Sequence, residues 1–323
     1  MIFNKTGTLE NTGTKFNWRD YTTLIGFIAL FLIATIMGWP YFLRSRNLIT
    51  LLRQISYTGI IALGMTLIII SGGFDLSVGS MTAFAGGVAI FAMNTFGPDS
   101  GFGVLAAILT AIVFATFLGA FNGFLITKWK IAPFIATLGT MSIYRSLVIY
   151  FAQAGNIESV NQRYGRIGSG VFLGLPIPVW MFFAIAAVLH VFLNHTRTGR
   201  YLCAVGANEQ VARFSAIKVN LIRFIPYVIT GFTVGVSAML WSSRLNSMNP
   251  SDCAGYELDA IAAVVIGGTP MTGGRGSIIG TVIGAIMLGI INNMLVLAGV
   301  SSYLQQAAKG VVIIVAVLLQ YKK

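Results

Sequence analysis

The sequence predicts an all-α, polytopic membrane protein of about ten transmembrane helices, some of them broken or re-entrant. Three observations predict it. Apolar residues make up 56% of the 323 residues and charged residues only 9%, where a soluble domain carries about 25% charged. Mean hydropathy is +0.82. Apolar runs recur along the chain at close to the ~20 residues that a helix needs to cross the hydrocarbon core.

Each element follows in order. Residues 1–20 are polar and unpatterned and read as a cytoplasmic N-terminal segment. The run at 21–43 is too long for a signal-peptide core, and no small-residue cleavage site follows it, so it reads as an uncleaved first span. The runs at 54–71 and 77–94 are divided only by Ser71-Gly-Gly-Phe-Asp-Leu-Ser-Val-Gly-Ser80. Further runs lie at 101–126, 132–152, 177–193, 224–242, 258–270 (a short one), 277–298 and 304–320. The membrane domain therefore covers 21–320, with a polar loop at 194–223 and a tail at 321–323.

The formal net charge is +12. The basic residues are scattered over short loops between spans, which reads as orientation in the membrane rather than nucleic-acid binding. With the N-terminus in the cytoplasm, the inner loops hold Lys5, Lys15, Arg19, Lys128, Lys130, Arg197, Arg200, Arg213, Lys218, Arg223, Arg275, Lys322 and Lys323. The outer loops hold Arg44, Arg46, Arg53, Arg163, Arg166 and Arg244, and Arg145 and Lys309 lie within spans. The imbalance places both termini inside, with Arg44 to Arg53 pulling the other way. Cys203 and Cys253 give no disulfide framework or metal spacing, and this topology puts them on opposite sides.

Two Gly-rich breaks interrupt the apolar pattern, one at 72–80 and one at 267–277. They read either as an internal repeat with broken helices at the pathway, a common transporter device, or as two unrelated breaks.

No phosphate-binding loop is present: Gly273-Gly-Arg-Gly276 lacks the lysine and the strand–turn–helix context. No nucleophile has a matched base, and no metal cluster is legible, so an enzyme is not the expectation. His190 and His195 read as interfacial. Ionisable residues within spans are costly and mark structure or function. Asp75 in the first break can cap the third span. Arg145 has no carboxylate one turn away, so its partner must lie on another helix. Asp259 opens the eighth span beside Glu257. Asn122, Asn292 and Asn293 are neutral polar groups in spans, suited to interhelical hydrogen bonds or to solute contact. These six are the candidate pathway or gate residues. So few membrane carboxylates argue against proton- or sodium-coupled transport and leave a facilitator open.

The polar stretch 195–220 is the anomaly in this chain. Asn208 is a good N-cap and Glu209 complements the helix dipole, so 209–216 reads as a short cytoplasmic helix. Its Val211, Ala212, Phe214 and Ile217 suit either an amphipathic connector or insertion into a groove on a cytoplasmic partner.

From about Asn47 to Lys323 the sequence resembles the membrane permeases of bacterial ABC importers for ribose and other monosaccharides. The resemblance is carried by Leu63-Gly-Met-Thr-Leu through Ser80, Asn122-Gly, Pro133-Phe-Ile-Ala-Thr-Leu-Gly139 and Thr198-Gly-Arg with Ala204-Val-Gly-Ala-Asn208-Glu. It continues in Gly255-Tyr-Glu-Leu-Asp-Ala-Ile-Ala-Ala-Val-Val-Ile-Gly-Gly268 with Gly273-Gly-Arg-Gly276. The resemblance implies a multi-pass subunit of the bacterial inner membrane, surrounded by lipid, working as one of two permeases, a second copy or a paralogue. A periplasmic sugar-binding protein would deliver solute, and separate ATPase subunits would carry ATP and Mg, with no cofactor on this chain and no nucleic acid. It also implies that the loop from about Thr198 to Val219 holds a coupling helix seated in the ATPase, with Gly199, Arg200, Gly206, Asn208, Glu209, Arg213 and Ile217 as the coupling residues. The expected mechanism is alternating access. Importers of branched-chain amino acids, polyols or sugar-derived signals are the alternatives, followed by a partner-free facilitator.

The sequence departs from the family pattern at Ala216, Ser146 and Asp252-Cys253-Ala254, where Gly, Gly and small uncharged residues are usual. If residue 216 forms a left-handed cap, alanine costs about 1 kcal/mol more than glycine there.

Overall fold

The computed structural model describes residues 22–301, 304–311 and 314. In chain order come α1 (Thr22–Met37), α2 (Ser45–Ile70), α3 (Val78–Phe96), α4 (Gly101–Thr127) and α5 (Pro133–Phe151). A loop region follows with β1 (Ile157–Glu158), α6 (Gly165–Ser169), β2 (Val171–Phe172) and β3 (Leu175–Pro176). The rest is α7 (Ile177–His195), α8 (Arg197–Ala207), α9 (Glu209–Phe214), α10 (Val219–Leu245), β4 (Ser247–Met248), α11 (Tyr256–Ile266) and α12 (Ile278–Leu297).

The helix starts follow local chemistry. Ser100 Oγ accepts from Gly103 N–H to cap α4, and Ser277 Oγ accepts from Gly280 N–H to cap α12. Pro133 opens α5, a position where its missing N–H costs nothing.

Among the described residues, seven helices are long and apolar enough to cross a membrane: α2, α3, α4, α5, α7, α10 and α12. Of the ten or so expected spans, these seven appear at full length. The apolar part of α1, Leu24–Met37, falls short of a full span. The eighth run forms α11, with only 11 residues, about 16 Å at 1.5 Å per residue. Of the run at 304–320, residues 304–311 are helical and most of the remainder lies outside the described residues. The segments 1–20 and 321–323 lie outside them too.

The bundle is built around α2 and α10. Most of α2 is buried, whereas α4 and α5 turn much of their surface outward. Lipid is as apolar as leucine, so close packing of small residues joins helices here. At the α4–α10 crossing, a Cβ on Gly231 would sit 2.6 Å from the Ala115 carbonyl oxygen. The backbones could not approach so closely with a larger residue.

The topology defines two ends. At one end lie α8 and α9, the C-terminus of α2 and the 267–277 loop. At the other lie two small antiparallel pairs, β1–β4 with Ile157 opposite Met248, and β2–β3 with Val171 opposite Pro176. These strands sit within loops and leave the helical class unchanged.

Both Gly-rich breaks interrupt helix, and they touch one another: Gly274 N–H donates to the Ile70 carbonyl at 2.9 Å. The segment 246–255 forms a third break. It lies against the bundle interior, where Arg145 of α5 donates to the Pro250 and Asp252 carbonyls.

Candidate functional site

The polar stretch is more helical than its sequence suggested. Thr196 Oγ1 accepts from Gly199 N–H and starts α8, an unforeseen 11-residue helix that runs through Gly199 and Gly206. Asn208 Oδ1 then accepts from Val211 N–H at 3.1 Å and starts α9, as its capping chemistry predicts.

The glycines at 199 and 206 serve close approach. A Cβ on Gly199 would overlap the Leu193 carbonyl at the α7–α8 turn. A Cβ on Gly206 would overlap the Ile70 carbonyl oxygen and sit 2.7 Å from the Gly274 nitrogen. Gly206 thus lets α8 rest on the point where the two Gly-rich breaks meet.

The short helix is pegged to a span by charge. Glu209 pairs with Arg213 one turn on, at 2.6 Å, and with Arg223 of α10, also at 2.6 Å. The hydrogen bond from Arg213, helped by the charge of Arg223, holds the Glu209 carboxyl below its usual range despite partial burial. Ala212 packs inward, while Val211 is 59% and Phe214 91% exposed. The face of α9 turned away from the bundle therefore carries an apolar step. Arg213 on the same short helix is exposed, as is Arg200 on α8.

α9 ends at Phe214 rather than at residue 216, by a mechanism legible in the backbone. Ile217 N–H donates to the Ala212 carbonyl and Ala216 N–H to the Arg213 carbonyl, each at 3.1 Å, the paired bonds of a Schellman stop. Ala216 takes the left-handed position, φ 58°. An Ala216→Gly variant is expected to gain about 1 kcal/mol, seen as a raised thermal midpoint in detergent.

Of the pathway candidates, Asp75 and Asn122 come together. Asp75 is fully buried. Its Oδ1 accepts from Ser77 N–H at 2.9 Å and Ser77 Oγ at 2.6 Å. It therefore closes a turn ahead of α3, and does not bond an N–H inside the helix. Asn122 Nδ2 donates to Asp75 Oδ2 at 3.2 Å and to Ser77 Oγ at 2.8 Å, and Tyr144 OH reaches Asn122 Oδ1 at 3.4 Å. This network ties the broken segment to α4 and α5.

Arg145 stands apart from that network, on the carbonyls of the third break. Asp259 pairs with Lys309 at 2.9 Å, joining α11 to the helical stretch at 304–311. Sequence reading named Asp259 without its partner. The signal was available, since a lone cation and a lone anion in neighbouring spans lower their cost by pairing. Asn293 forms a reciprocal amide pair with Asn47 of α2, at 2.9 and 3.0 Å, and so fastens α12 to α2. Its neighbour Asn292 instead lines a cavity of about 200 Å³ between α2, α10, α11 and α12, together with Asp259.

The comparisons with known proteins concern the chain as a whole. Residues 47–317 match the family described as branched-chain amino acid transport system / permease component. The ribose import permease protein of Bacillus subtilis strain 168 is 44% identical over 99% of both chains. That of Escherichia coli K12 is 39% identical over 96% of both. The L-arabinose transport system permease protein of the same strain is 33% identical, over 95% of this chain and 92% of its own. No solved structure matches the chain.

Proposed function

Because the chain belongs to the family of branched-chain amino acid transport system permease components, membrane subunits of ABC importers, we propose that it carries a monosaccharide inward under the drive of a separate ATPase. The relatives named for ribose, allose and L-arabinose support the sugar class. The observation that carries the partner-driven reading is α9. An apolar side chain left 91% exposed at Phe214, on a helix pegged by Glu209 to α10, suits a groove in a partner and has no use in a free-standing facilitator.

In this reading α8 and α9 face the cytoplasm, both termini lie inside, and a periplasmic binding protein meets the end that carries β1–β4. ATP and Mg sit on the partner, whose two states hold α9 differently. Only that difference can shift the spans between inward and outward forms. The Glu209–Arg223 pair transmits the shift to α10. The Gly206 contact transmits it to the C-terminus of α2 and both breaks. A second permease, a copy of this chain or a paralogue, completes the pathway.

The test pairs this chain with an ATPase and a binding protein. The detergent-extracted permease is expected to retain the ATPase, and Phe214→Asp to release it and cut uptake of labelled D-ribose at least ten-fold. Full uptake without any ATPase would sink the partner-driven reading. The second reading, a branched-chain amino acid, follows from the family description. It predicts uptake of labelled L-leucine in place of D-ribose.

A further inference from the structure

The 200 Å³ cavity lies in the half of the bundle opposite α8 and α9. Its walls come from the first half of α2, the last turns of α10, the first turn of α11 and the later part of α12. The room equals roughly six or seven waters at ~30 Å³ each, enough for one small solute.

The chemistry of the walls is selective. Trp241 and Tyr256 both line it, their rings 5.8 Å apart and nearly perpendicular, and give apolar faces for the C–H side of a ring. Thr58 and Asn292 add neutral polar groups. Asp259 also lines the cavity, but its charge is already engaged by Lys309. Arg244 is then the wall's cation, lying 5.8 Å from the Tyr57 ring centre.

Two buried polar atoms on these wall residues lack a hydrogen-bond partner among the described residues: the donor Trp241 Nε1 and the acceptor Asn292 Oδ1. A buried polar group left unpaired is costly and calls for a partner. Neither atom faces the empty space as the side chains stand; once they turn toward the cavity, a hydroxyl-rich solute serves donor and acceptor together, because each hydroxyl both donates and accepts.

We propose that this cavity is a transit site within the permease for a single monosaccharide, held by Trp241 and Tyr256 on its apolar face and by Asn292 and Thr58 on its hydroxyls. The proposal rests on the monosaccharide-import reading above. It adds that solute dwells within one chain, between α2, α10, α11 and α12.

The test uses the full chain in membranes with its ATPase and binding protein. Thr58→Cys, in a Cys203→Ser, Cys253→Ala background, is labelled with a membrane-impermeant thiol reagent. D-ribose is expected to slow labelling at least about five-fold, whereas L-leucine leaves it unchanged. In uptake assays Ala285→Phe, which fills the cavity, and Trp241→Ala should each lower D-ribose import about ten-fold. Trp241→Phe keeps the aromatic face and should stay near the parent. Val113→Phe on the outward face of α4 is the control. If the parent chain imports no monosaccharide, the functional reading itself fails. If the parent imports D-ribose, yet labelling ignores the sugar and Ala285→Phe imports normally, the cavity is not the transit site. Protection by L-leucine in place of D-ribose would overturn the solute class.

Discussion

Gly206→Ala is expected to abolish most transport, with monosaccharide uptake falling at least ten-fold and the thermal midpoint in detergent falling with it. The added methyl would overlap the Ile70 carbonyl oxygen and crowd the Gly274 nitrogen. Both atoms are backbone, so no side chain can rotate out of the way. α8 must lift off, and the Gly274-to-Ile70 hydrogen bond that joins the two breaks must stretch or part. Overpacking of this kind costs about 1–3 kcal/mol. The comparison variant is Gly139→Ala on the exposed face of α5, where a Cβ meets nothing within 4 Å. It should be neutral, or gain up to about 1 kcal/mol from helix propensity. Equal behaviour of the two variants would show that α8 does not need to sit so close.

Asp259→Ala is expected to be the most destabilising single change among the buried charges. It leaves the Lys309 ammonium, three-quarters buried, without its partner. Removing one member of a buried pair costs about 3–5 kcal/mol, whereas replacing both by apolar groups of similar volume is often neutral. The double variant Asp259→Leu, Lys309→Met should therefore recover most of the stability lost by Asp259→Ala. Thermal unfolding of the single and double variants in the same detergent measures this. If the effects simply add, the 2.9 Å contact carries no coupling energy.

Local chemistry made much of the fold legible. Run length and composition placed α3, α4, α5, α7 and α12 within two residues at each end, while α2 and α10 begin nine and five residues before their apolar runs, and Asn208 announced the start of α9. The sequence missed α8 because Gly199 and Gly206, both within it, have poor helix propensity. Gly206 serves a contact with the distant backbones of Ile70 and Gly274, which propensity cannot register. It overstated α11 because the apolar run continues through Gly267, while the helix ends at Ile266. The Ala216 departure was legible as a conditional cost, and the left-handed φ of 58° supplies the condition.

By itself, the sequence determined the class, the order of the spans, the breaks and a short helix opening at Glu209, whose end at Phe214 rather than 216 came from the structure. Each of these depends on residues within a turn or two of one another, or on the bulk polarity of a segment. Only the tertiary structure decided which polar groups meet. Asp75 finds Asn122 across 47 positions, Asp259 finds Lys309 across 50, and Asn293 finds Asn47 across 246. It also decided that Asn292 and Trp241 share a cavity wall. The reason lies in the solvent. In water, polarity marks the outer face of a helix, but lipid is as apolar as a protein core, so a membrane helix does not encode in its pattern which side meets a neighbour. That choice is made by close packing of small residues and by the few polar groups that must find one another.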